Sequence, residues 1–427
     1  MKNTILRSFV LVSIFSFSCL AQQQEGQFWR TYWYQRGAEF GNPGFDKRLH
    51  VNSPEAVVNP QLSDRAEVRE NGMMLIPIKE DPRQIYRAEL YLEVWGGNPG
   101  TANKRVTING RSTYPIQEAG TALKNCTYQY PTIYLQPTDL VNGYNALQFA
   151  CDRGQSVWGH YLVDNAALRF EVKRDHAEIQ KAGLLGFNAL IKAEAVPGNQ
   201  EAVRLKLSSS DDSVVTAVDY QGFYYGYDEN GDTITYGWHG MTKGKEPFAF
   251  IGTSAQYPYA VDWDTAMLPE QQEMAVRAVV HFKNHSGLTP ELTYVTPVIG
   301  GLFAVKPKGK KVTLHSARDL PIPFLSRAGQ RKACLIDVDI DPARIERADL
   351  HVLIWDGGAG NVKDHFLING HPVAIAGKGE HDVLYRQLAI EPGVLKRGIN
   401  RIELLSDTDH HGLEVLLPGP ALMIRSR

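Results

Sequence analysis

Two short stretches of this 427-residue chain concentrate side chains that can ligate a metal. The first is Asp407-Thr408-Asp409-His410-His411-Gly412. Adjacent imidazoles in a loop can both ligate, and neighbouring carboxylates can orient their second nitrogens. His365, His371 and His381 are available to join them. The competing reading is a set of hydrogen-bonded loop histidines near a domain contact. The second stretch is Asp228, Asn230 and Asp232 around Gly231. Oxygens at alternating positions beside a glycine turn can fold around calcium, the one cofactor this sequence suggests. No glutamate follows at the twelfth loop position, and a hairpin tip between flanking tyrosines is the favoured account of the Asn-Gly-Asp run.

Other residues are suited to sugars. Tyr225, Tyr227, Trp238 and His239, with Tyr224 and Tyr236, surround that acidic turn. Tyr and Trp rings stack on the C–H faces of pyranoses. Alternate residues of a strand point to opposite sides, so only half of them can share a face. A second group, Arg153, Gln155, Trp158, His160 and Tyr161, follows a strand. Arginine and glutamine would bond ring hydroxyls there while Trp158 stacks; Trp158 is equally suited to the core. Trp95, Trp263 and Trp355 are assigned to the core. Gly-x-Ser-x-Gly, Walker A, His-Glu-x-x-His and Cys-x-x-Cys motifs are absent. Paired glycosidase carboxylates come from distant strands and leave no short signature.

These groups sit on a repeated scaffold. Residues 81–110 return as residues 341–370, with twelve of thirty positions identical and no gap. Leu90, Leu92 and Val94 alternate with Glu89, Tyr91 and Glu93, the pattern of a strand with one buried face. Leu350, Val352 and Ile354 hold the same parity. Each stretch closes on Ile-Asn-Gly, a turn signal. Further on, Leu140, Gly143 and Asn145 match Leu395, Gly398 and Asn400 and lead into another strand. Many short strands separated by Gly, Pro and Asn turns indicate antiparallel β-sandwiches. A short helix is expected over 175–182, capped by Asp175.

On these residues the two copies resemble the galactose-binding-like jelly roll. The segment between them carries Pro258, Tyr259, Trp263, Asp264, Thr265, Leu268 and Pro269, then the strand 275–280 and a turn at 284–287. It resembles bacterial immunoglobulin-like modules, interrupted by the aromatic stretch around residue 230. The implied fold is all-β, with three antiparallel sandwiches: a jelly roll at 46–174, an Ig-like domain at 183–302 and a second jelly roll at 303–427. Residues 22–45 precede them as an aromatic-rich arm. The Asp-Thr-x-His-His run resembles part of the copper monooxygenases built from two jelly rolls, but their His-x-His pair and methionine are missing.

Composition bounds the partners. A net charge of −2 gives no basic footprint for nucleic acid. Residues 1–21 read as a secretory signal peptide: Lys2 and Arg7, an apolar run over 9–17, and small residues ending at Ala21. Cys19 admits a lipid anchor instead, without the usual leucine before it. No later run reaches the length of a membrane span. An exported chain permits disulfides, and Cys126 and Cys151 are expected to pair. The sequence is thus read as a secreted, periplasmic or surface-associated, non-catalytic polysaccharide-binding protein. Its alternatives are a glycan- or glycoprotein-active hydrolase or lyase and an oxidase centred on His410 and His411.

Overall fold

A computed structural model describes residues 25–35, 49–51, 73–96, 101–116, 128–152, 161–226, 236–239, 251–283, 290–321, 323–375, 379, 382–409 and 412–427. The chain is nearly all β, built from several antiparallel sheets. The largest contains β1 (Gln27–Trp33), β2 (Ile85–Trp95), β3 (Thr132–Leu135), β4 (Tyr161–Val172), β5 (Val215–Tyr225), β6 (Tyr236–His239), β7 (Gln271–Phe282) and β8 (Glu291–Val295). Their order across the sheet is β6-β5-β7-β8-β1-β4-β2, with β3 on the far side of β2.

The sheet is continuous because of β1. This strand was expected in a separate arm, yet it pairs with β4 on one side and β8 on the other. Its alternation is strict. Phe28, Arg30 and Tyr32 point inward; Trp29, Thr31 and Trp33 point outward. The inner face is covered by two smaller sheets. One holds Met73–Ile78, Gly143–Asp152, Ala102–Ile108 and Ser112–Pro115. The other holds Ala189–Val196, Asn199–Ser209 and Ala260–Asp264. A single hydrophobic cluster runs beneath both. At its centre the rings of Phe28, Phe187, Phe282 and Tyr294 meet at 4.9–6.4 Å.

A buried polar knot fastens this junction. The Glu80 carboxylate accepts from Arg30 Nε at 2.8 Å and Tyr32 Oη at 2.6 Å. Its other oxygen lies 2.7 Å from His176 Nε2. Arg30 also donates to the Pro290 carbonyl. His176 is the N-cap of α1 (Ala177–Lys181), its Nδ1 accepting from the Glu178 N–H. The expected cap, Asp175, is displaced because His176 serves the helix and the carboxylate with its two ring nitrogens.

The remaining strands form a second sandwich with its own core. One of its sheets contains β9 (Ile345–Asp356), and Leu350, Val352 and Ile354 face inward as the alternation requires. Among the described residues two contacts attach it to the rest. Leu353, Tyr385, Leu416 and Trp355 pack against Tyr128, Tyr130 and Trp95. Arg425 grips Glu201 with two 2.7 Å bonds, and Lys306 approaches the same carboxylate at 3.4 Å. Trp95 and Trp355, assigned to the core from sequence, therefore stand half-buried in the contact between the two sandwiches. Trp263 is a core residue as expected.

The expected Cys126–Cys151 bridge is not present. Cys151 is a buried thiol whose Sγ donates to the Val51 carbonyl at 3.5 Å. Cys126 lies outside the described residues, among which no disulfide occurs. Cys334 is also buried, and burial pushes its thiol up to about 12.

Candidate functional site: the outer face of the large sheet

Several sequence-predicted residues fall outside the described set: Arg153, Gln155, Trp158, His160, Tyr227, Asp228, Asn230, Asp232, His410 and His411. The backbone of His239 belongs to β6. Tyr161 is corrected. It is wholly buried in the main core, and its hydroxyl donates to the Ala150 carbonyl at 3.2 Å, so it is no part of a ligand edge. Asp407 spends both carboxylate oxygens on the Asn361 N–H, at 2.8 and 2.9 Å, stapling a loop. Asp409 is exposed. His365 is half-buried and His371 exposed. Among the described residues no group of three or more metal-ligating side chains converges.

Tyr225 and Trp238 lie where a ligand surface can form. Tyr224 turns into the core, leaving Phe223, Tyr225 and Trp238 on the outer face. The period of two divides the expected ribbon in half. Trp238 packs against Phe223 at 5.5 Å, and the Arg277 guanidinium sits 4.2 Å from its ring centroid.

From there the outer face continues across the sheet as a ladder of charges. Ladder register aligns Glu291, Thr31, Arg169, Glu89 and Tyr134 in one row. His281, which register places opposite Thr293 in the neighbouring row, reaches across to bond Glu291 at 2.6 Å and Asp219 at 2.8 Å. Burial works against a charged His281, but the two carboxylates overrule it and hold the imidazolium up to about 10. Arg169 donates to Glu89 at 3.0 Å. At the far end Tyr134 projects into solvent, 67% exposed.

The neighbouring row holds Trp29, Glu171 and Arg87. Arg87 and Arg169 lie 4.9 and 5.0 Å from the Trp29 ring centroid. Arg87 Nε is 3.4 Å from Glu171 Oε2 and 3.7 Å from Glu89 Oε1, so two carboxylates share one guanidinium. Burial raises the Glu171 carboxyl above its ordinary range, the charge on Arg87 opposes this, and Glu89 adds to it. Glu171 Oε2 and Trp29 Nε1 are buried without a hydrogen-bond partner among the described residues.

Arg277 and Tyr134 stand on β7 and β3, five strands apart in the order of the sheet. Arg277 is pulled down to about 10, first by burial and then by the Arg169 charge, with Glu89 and Tyr134 opposing and Arg87 reinforcing. The alternation along β2 predicts one buried face, that of Leu90, Leu92 and Val94. Glu89, Tyr91 and Glu93 are buried as well, Glu93 accepting from Tyr91 at 3.1 Å and Asn165 at 2.6 Å. The signal that could have found Tyr134 is the alternation of Thr132 and Tyr134 with Ile133 and Leu135.

No protein family matches the sequence, and no curated protein does. Among solved structures, BuGH86 in complex with neoagarooctaose aligns with 56% of this chain and 34% of its own, at 11% identity and a TM-score of 0.24. BpGH86A, a β-porphyranase of glycoside hydrolase family 86 from the human gut bacterium Bacteroides plebeius, aligns at 13% identity and 0.23 over 56% and 36%. The glycoside hydrolase domain of Endo-D from Streptococcus pneumoniae R6 gives 7% and 0.22 over 52% and 31%. The matched part is about a third of each of those structures. Scores this low do not establish a common fold or a shared activity.

Proposed function

We propose that this chain is an exported glycan-binding protein whose binding surface is the outer face of the large sheet. The observation that carries the reading is the arrangement of Tyr134, Trp238, Phe223 and Tyr225 around a ladder of charged groups. Aromatic rings supply stacking faces, and the part-exposed groups between them, Arg87, Arg277, Asp219 and Glu291, supply hydrogen bonds to hydroxyls. In this reading residues 1–21 direct export. The two stretches at 81–110 and 341–370 are one jelly-roll unit used twice, around an Ig-like segment. The matching local geometry of the two stretches supports this. Asp81 and Asp341 each cap a one-turn helix by accepting a backbone N–H at 3.0 Å, with proline at its first position.

Affinity electrophoresis of the mature chain against a panel of polysaccharides tests the reading. At least one polymer is expected to retard the wild type. Tyr134→Ala and Trp238→Ala should each weaken that interaction by about 3–10-fold, the worth of one aromatic contact. Retardation by no polymer, or two variants that migrate like the wild type, would sink it.

A second reading rests on Glu89 and Glu171. A carboxyl group raised by burial beside another carboxylate is the pairing used in glycoside hydrolysis. Under that reading Glu171 is the general acid. The bound polymer should release reducing ends, and Glu171→Gln should slow release by at least about 100-fold. A polymer that binds without releasing reducing ends leaves the chain a binding protein.

A further inference from the structure

The cationic side chains of this face are not equally satisfied. Arg169 is tied to Glu89, and Arg87 lies between Glu89 and Glu171. His281 lies between Asp219 and Glu291. Arg277 differs from all of them. Its Nε donates to the Gln221 amide oxygen at 2.8 Å and its plane rests on Trp238 at 4.2 Å. No carboxylate lies within 4 Å of it among the described residues, and its two terminal nitrogens have no protein acceptor there. Those nitrogens are not sealed off either, since they are absent from the buried atoms that lack partners. Of the charged groups around it, Arg169 and Arg87 repel it, and Glu89, which attracts it, is already shared by those two arginines.

A half-buried guanidinium with no carboxylate in contact is costly unless something neutralises it. Its geometry suits one kind of partner. The Nε bond and the Trp238 ring fix the plane of the fork, leaving two parallel N–H donors directed at an incoming group. Carboxylate and sulfate oxygens match that spacing, whereas a lone hydroxyl uses only one of the two donors.

We infer that the face selects anionic glycans, with Arg277 as the specificity-determining residue that receives a uronate carboxylate or a sulfate ester from a sugar seated beside Trp238. This rests on the glycan-binding reading above and adds the class of ligand. Trp238 would take the apolar face of the sugar and Arg277 its charged substituent.

Two matched pairs of polymers test it with the full mature chain: methyl-esterified pectin against the same pectin de-esterified, and dextran against dextran sulfate. The backbone is constant within each pair and only the charge changes. At least one anionic polymer should bind about tenfold or more tightly than its neutral partner, with a preference that falls as salt is raised. The pair that shows the preference distinguishes carboxylate from sulfate. Arg277→Gln, which can keep a contact to Gln221, should bring that ratio to within about twofold of unity, and Arg277→Lys should keep part of it. Thermal melts of both variants check folding, and the salt dependence of the wild type needs no variant. Equal binding within both pairs, or an unchanged ratio in Arg277→Gln, would overturn the inference and leave glycan binding standing. Binding to no polymer would overturn both.

Discussion

Glu80→Gln is expected to destabilise the protein by about 3–5 kcal/mol, the cost of leaving a buried cation without its partner. Glu80 and Arg30 are both almost inaccessible, their side chains 3% and 5% exposed. The carboxylate also holds Tyr32 and His176. An amide oxygen can still accept from Arg30 and Tyr32, but it brings no charge to Arg30, and the amide NH2 in place of the other oxygen faces the His176 Nε2–H donor. The loss is global because the knot joins β1, residue 80 and the cap of α1, and β1 is the strand through which the large sheet is continuous. Urea unfolding at pH 7 reads it directly; a change below about 1 kcal/mol would refute it. The pH dependence gives a second measure. Burial alone would raise Glu80, but its bonds to His176, Tyr32 and Arg30 prevail and bring it down to about 2 from the usual 4.5. A depressed carboxyl stabilises the fold above its unfolded pKa, and that stability drains as pH falls from about 4.5 through 2. The drop amounts to roughly 3 kcal/mol. In Glu80→Gln this part of the acid limb should be missing. Replacing both members, as in Arg30→Met with Glu80→Leu, should cost less than Glu80→Gln alone, because no charge is then left stranded.

Much of the fold was legible because strands announce their inner face. Leu90, Leu92 and Val94, and again Leu350, Val352 and Ile354, all face a core as their alternation demands. The sequence could not say what covers the opposite face. Polar outward residues such as Glu89, Tyr91 and Glu93 look solvated whenever the partner that buries them lies far away in the chain. Here they are buried within a sheet assembled by pairings such as β1 with β8, which join residues about 260 apart. The tryptophan common to both stretches was legible as apolar and structural. Its place in a contact between two sandwiches, instead of inside either, is again a long-range fact. The candidate site was half legible for a similar reason. Tyr225 and Trp238 stood out as a local aromatic cluster. Arg277 and Tyr134 belong to unremarkable strands and acquire meaning only when the ladder sets them on one face. Tyr161 shows the converse: an aromatic after a loop suggested a ligand edge, but its parity with Val163 points it inward.

Asn145→Ala and Asn400→Ala should each cost about 3–4 kcal/mol, and the equivalence of the two positions makes this a test of the repeated scaffold as well. Each asparagine is fully buried and reaches back four residues. Asn145 Nδ2 donates to the Val141 and Gly143 carbonyls at 2.9 and 3.0 Å, and its oxygen accepts from the Val141 N–H at 2.9 Å and Asn109 Nδ2 at 2.8 Å. Asn400 makes the same four bonds with Lys396, Gly398 and Asn369, at 2.8–3.0 Å. Asn109 and Asn369, at φ 52° and 51°, are the asparagines of the two Ile-Asn-Gly turns. Thus the Asn-Gly turn and the Leu-x-x-Gly-x-Asn approach, separate signals in the sequence, are two ends of one hydrogen-bonded lock. Four bonds at about 1 kcal/mol each set the scale, and groups left buried without partners keep the loss near the upper end. Aspartate in place of Asn400 should also destabilise, since it can accept from Lys396 N–H but cannot donate to the Lys396 and Gly398 carbonyls. The two cores are separate clusters, so calorimetry should resolve the substitutions. Asn400→Ala should lower the transition of the second sandwich, whereas Asn145→Ala should lower the transition of the body organised around β1. Losses under about 1 kcal/mol at both positions would mean that the lock follows from folding and does not drive it.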